Sequence, residues 1–88
     1  MPSRDLHALM LEKMVEIEPA ARQQALVSIR ELRASMHLPP EIFDRAILDL
    51  ANQGKIWLHR HAYPAQAEQE EVVKDEEGHC YMGMVLRG

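Results

Sequence analysis

Two adjacent prolines, Pro39 and Pro40, fall between two stretches of helical spacing. No helix runs through such a pair: each ring removes a backbone donor and biases the residue before it away from helical geometry. Pro40 suits the first position of a helix, where its missing N–H would be unpaired anyway. Upstream, Ser28-Ile29-Arg30-Glu31 has capping-box spacing, in which serine and glutamate satisfy each other's free backbone donors. Ile29, Leu32 and Met36 then share one face, which predicts a helix over 28–36. Downstream, Phe43, Ala46, Ile47, Leu50 and Ala51 form an apolar stripe with Ile42 at its edge. That pattern predicts a helix over 40–53, stopped by Gly54 as a left-handed cap. The prolines therefore impose a short helix, a tight turn and a longer helix.

The flanking segments complete the plan. Leu6, Leu9, Met10, Met14 and Ile17 recur at helical spacing, with Lys13 among them. They predict a helix over 5–18, capped by Ser3 or Asp5 and ended by Pro19. Residues 20–25 are an extra turn or a connection, and Leu26-Val27 suits a brief strand. Residues 55–61 have alternating character with a β-favouring Ile56-Trp57-Leu58 centre, and residues 79–86 form the last strand. Between them, 64–78 is an acidic loop in which Val72-Val73-Lys74 suits a short strand. Asp75-Glu76-Glu77-Gly78 reads as a turn, with glycine where positive φ is wanted. Trp57 and Tyr81 are expected as cross-strand neighbours, and Met82 and Met84 on one face of the last strand. The expected fold class is α+β, with three helices and a two- to three-stranded antiparallel β wing.

A chain of 88 residues is expected to form one domain with a small core. Cys80 is the single cysteine, so no internal disulfide framework exists and nothing points to an oxidising compartment; the expected setting is cytoplasmic and bacterial. No apolar run approaches the roughly 18–20 residues that span a bilayer, and the first residues lack the apolar region of a signal peptide.

The element order resembles the winged-helix (winged helix-turn-helix) superfamily. The likeness covers most of residues 5–87. It rests on residues 26–33, on Leu38 to Asp44, and on Ala46 to Ile56. In the last of these, Leu50, three residues, Gly54, a basic residue and a β-branched residue lead a helix into a wing. The resemblance implies a small regulator that binds double-stranded DNA, with the third helix in the major groove and the wing on the backbone. It also makes a homodimer plausible. Arg45, Asn52 and Gln53 are the candidates for base edges. Arg30, Arg33, Lys55 and Arg60 are the candidates for phosphates. Arg45 has a competing assignment, because Glu41 and Asp49 lie four residues to either side and invite ion pairs on the helix surface.

The net charge of −4 is unevenly spread. Residues 1–63 balance eight cations against eight carboxylates, whereas residues 64–78 carry six carboxylates and only Lys74. An acidic loop lying on phosphates would be repelled. The loop must point away from DNA, or it meets something basic. The second expectation is therefore a protein-interaction module that engages a basic partner through Glu68, Glu70 and Glu71. A third places a metal among His59, His61 and His79, a weak pattern without a spaced ligand pair. No cofactor is expected, and nothing arranges a nucleophile and base in the manner of an enzyme.

Overall fold

The computed structural model describes residues 3–63, 66 and 68–87. It is an α+β domain of three helices and a four-stranded antiparallel sheet, arranged like a small winged helix. Helix α1 spans Ser3–Ile17, β1 Val27–Ser28, α2 Ile29–Met36, α3 Pro40–Asn52, β2 Ile56–Arg60, β3 Val73–Lys74 and β4 Cys80–Leu86. These bounds lie within one or two residues of those expected, as helix and strand ends commonly do. The capping side chains proposed for α1, Ser3 and Asp5, lie outside the described set.

Local signals act where the residues place them. Ser28 Oγ accepts from the Glu31 N–H at 3.4 Å and starts α2, but the return bond expected from the Ser28 N–H to the Glu31 side chain does not form, Ser28 being part of β1 opposite Gly83. His37, at φ 54°, ends it. Pro39 is the flanking residue of α3 and Pro40 its first. Gly54 (φ 74°) and Gly78 (φ 85°) occupy the left-handed region at the two expected turns. After α1, Pro19–Gln23 winds as a 3₁₀ turn closed by Gln24 at φ 70°.

β4 is the hub of the sheet. It pairs with β1, β2 and β3, giving the order β1-β4-β2 with β3 further along β4. Trp57 lies opposite Val85, and Arg60 opposite Tyr81, so the expected Trp57–Tyr81 pair does not form. The register slips between His59 and Arg60, leaving Met82 as the extra residue of a bulge. A bulge re-aims the side chain it carries. Met84 is accordingly fully buried while Met82 is 39 % exposed, so the two methionines do not share an exposed face.

The core joins Met10 and Met14 of α1, Ile29 and Leu32 of α2, Phe43, Ile47 and Leu50 of α3, and Ile56, Val73 and Met84 of the sheet. No described polar side chain is buried. Leu9, expected in the buried stripe, faces outward. No described helix is long and apolar enough to cross a membrane.

Candidate functional site

The acidic segment does not project as a free wing. Residues Gln69–Glu71 form a 3₁₀ turn in which the Glu68 N–H donates to Glu71 Oε1 at 2.9 Å. This turn lies against α2. Arg33 holds it there. Its Nε donates to the Glu70 carbonyl at 3.2 Å, and its Nη2 donates to the Val72 carbonyl and to Asp44 Oδ1, each at 2.8 Å. The guanidinium also covers the Phe43 ring, 4.4 Å from its centroid. Only 13 % of this side chain is exposed. Arg33 was a phosphate candidate from sequence; in the fold it faces inward, with three of its N–H groups engaged, and joins α2, α3 and the acidic segment. Arg30 meets Glu68 at 3.3 Å, an exposed pair of the kind that contributes little. His61 lies 3.8 Å from Glu71. Two of the three carboxylates expected to meet a basic partner, Glu68 and Glu71, thus already face cations or donors of the chain itself.

The open carboxylates gather elsewhere. A cleft of about 620 Å³ runs between the outer face of α3 and the β3–β4 turn. Helix α3 contributes Glu41, Asp44 and Asp49, and the turn contributes Asp75, Glu76 and Glu77. Two cations, Arg45 and Lys74, line it with them. Asp44 is neutralised by Arg33, yet the remaining carboxylates still outnumber the cations. The ion pairs expected of Arg45 with Glu41 and Asp49 do not form among the described residues; Asp49 lies 4.0 Å from His7 instead. Asn52 also lines this cleft.

Asp75 builds the turn. Its Oδ1 accepts from the Glu77 and His79 backbone N–H groups, both at 2.9 Å. Its Oδ2 accepts from the Tyr81 hydroxyl at 2.8 Å and lies 3.2 Å from His79 Nδ1. Desolvation opposes ionisation, but the bonds from His79, Tyr81 and Glu77 outweigh it and hold the carboxyl at about 2. The same carboxylate, with desolvation added, raises the Tyr81 hydroxyl above its ordinary range.

The expected histidine trio does not assemble. His61 accepts from the Tyr63 N–H at 2.9 Å, and His79 turns to Asp75. Among the described residues, the ligand atoms that converge are those of Asp75, Glu77 and His79, within 4.8 Å. Asp75 is already saturated with donors from the protein, so this cluster is accounted for by the turn itself.

The remaining candidates lie apart. Gln53, Lys55 and Arg60 are exposed. Lys55 opens a second groove, of about 320 Å³, together with Arg22 and Arg87. Sequence reasoning passed over Arg22 and Arg87. The one available signal was strand pairing, which sets the end of β4 beside the start of β2. No family model, curated protein or solved structure matches this chain, so its function is read from its own residues.

Proposed function

We propose that this chain is a winged-helix-like protein-interaction module whose acidic cleft takes a lysine- or arginine-rich segment of a protein partner. The observation that supports it is the cleft between α3 and the β3–β4 turn, lined by six carboxylates and two cations. In a winged-helix DNA complex, phosphates would run past the third helix and the wing. Here those two elements present like charge to phosphate, which costs affinity rather than supplying it. A cationic segment meets the opposite situation, with Glu41, Asp49, Glu76 and Glu77 lining the cleft while Asp44 and Asp75 are engaged by the protein itself.

Duplex DNA is the second reading. It is favoured by Lys55 and Arg60, which are exposed and have no carboxylate within 4.0 Å among the described residues. The two readings separate in one experiment. A fluorescent lysine-rich peptide is titrated into the wild type, into Glu41→Gln/Asp49→Asn/Glu77→Gln, and into a control triple, Glu16→Gln/Glu31→Gln/Glu70→Gln, with equal charge change outside the cleft. The cleft variant is expected to bind about 10-fold or more weakly, given several charge pairs worth a few tenths to one kcal/mol each. Equal losses in both triples would mean that only net charge matters. Tight duplex binding that vanishes in Lys55→Ala/Arg60→Ala would replace the peptide reading with DNA.

A further inference from the structure

The second groove carries chemistry opposite to that of the cleft. It lies between α1, the 3₁₀ turn after it, the start of β2 and the end of β4. Arg22, Lys55 and Arg87 line it, with Glu12 the carboxylate among them. Among the described residues none of the three cations has a carboxylate within 4.0 Å. The backbone fixes where they stand. Arg87 N–H donates to the Lys55 carbonyl at 3.0 Å, extending the β2–β4 ladder by one residue and setting the two cations side by side. Arg22 is presented by the 3₁₀ turn that Gln24 closes.

An aromatic surface adjoins these charges. Trp57 on β2 lies two residues beyond Lys55, whose carbonyl continues the ladder to Arg87, and so shares its face, while Ile56 between them enters the core. Trp57 is 54 % exposed, and the Arg87 guanidinium lies over its ring, 4.9 Å from the centroid, so a base would stack on the face away from Arg87. An exposed indole beside cations that have no carboxylate within 4.0 Å among the described residues is the combination used to hold unpaired nucleotides. The cations follow the phosphates and the ring stacks on a base, whatever its identity. A duplex keeps its base faces covered, and a purely anionic polymer has none to offer.

We infer that this groove binds single-stranded nucleic acid, with Arg22, Lys55 and Arg87 on successive phosphates and Trp57 stacked on a base. The site is separate from the acidic cleft and does not depend on the protein-partner reading.

Trp57 is the chain's single tryptophan, so its emission reports on the site directly. Titration with a ~12-nucleotide oligothymidine is expected to quench it at low salt. Three phosphate contacts predict a slope of log affinity against log salt of about −2, and Lys55→Ala should reduce it by about 0.7. Trp57→Ala should weaken binding about 10-fold, followed by anisotropy of a labelled strand. Lys13→Ala, a cation outside both grooves that pairs with Glu16 on α1, should leave affinity unchanged. Circular dichroism checks that these exposed-site variants keep the fold. The inference is overturned if the oligothymidine neither binds nor quenches. It is overturned as well if Lys55→Ala and Arg22→Ala bind like wild type. A duplex, or inorganic polyphosphate matched in phosphate, that competes as well as the single strand would remove the role given to Trp57 and overturn it too.

Discussion

Arg33→Ala tests how the acidic segment is held. The substitution removes a 2.8 Å ion pair with Asp44, two bonds to the carbonyls of Glu70 and Val72, and a guanidinium stacked on Phe43. Truncating one member of a fully buried pair costs about 3–5 kcal/mol because the partner is left uncompensated, and the half-buried Arg33–Asp44 pair falls at the low end of that range. Asp44 is about one-third exposed, so water recovers part of that loss. A cost of about 3 kcal/mol follows, which is a large share of the roughly 5–15 kcal/mol that stabilises a small domain. It corresponds to a fall in Tm of roughly 12–24 °C for a chain of this size. Urea melts of wild type, Arg33→Ala, Asp44→Asn and the double variant measure it, and the cycle should give a coupling of about 1–2 kcal/mol. Amide exchange should accelerate over residues 70–73, where the Glu70 and Val72 carbonyls lose their donor. A stability loss under about 0.5 kcal/mol, with a clear loss of nucleic-acid affinity, would show instead that Arg33 is a surface phosphate contact.

Two further outcomes follow from the turn and the sheet. Asp75 has a folded pKa of about 2 against an ordinary 3.8, so its contribution is complete above about pH 4 and disappears as pH falls through about 2. The stability gap between wild type and Asp75→Asn should therefore close over that interval in urea melts; a gap independent of pH would refute the assignment. Gly83→Ala places a Cβ 3.0 Å from Leu26 Cδ1 and from the Val27 carbonyl of the neighbouring strand, and should cost about 1–3 kcal/mol through crowding. Gly78→Ala meets nothing within 4 Å but sits at φ 85°, so it should cost about 1 kcal/mol through conformation alone. The reverse order in thermal melts would contradict the packing of Leu26 over β4.

Most of the architecture could be read locally. Pro39, Pro40, Gly54 and Gly78 each act on their immediate neighbours and do in the fold what their chemistry predicts, and Ser28 makes one of the two capping-box bonds expected of it. The apolar stripe of α3 likewise needs only helical periodicity. The inward turn of Arg33 could not be read that way, because Glu70 and Val72 lie far along the chain and reach it only after the acidic segment doubles back. Neither could the exposure of Met82, which depends on a register slip against β2. The acidic cleft shows the same limit. Its carboxylates were visible on α3 and in the turn, but their convergence follows from the pairing of β3 with β4. Charge counted along the chain pointed to Glu68, Glu70 and Glu71, whereas the fold brings together Glu41, Asp49 and the turn.

The position of β4 governs the order in which this chain can fold. Every strand pair in the sheet includes it, and it follows all three of its partners in the chain. The helices close through local bonds on a fast timescale, but Val27 finds Met84 only after most of the chain has been brought round. An incomplete chain lacking β4 holds no sheet at all, and leaves the apolar sides of Val27, Ile56 and Val73 uncovered together. Pairing of β4 with its partners is therefore the step that limits folding, and substitutions in β4 should slow folding, read from chevron plots, more than those in α1.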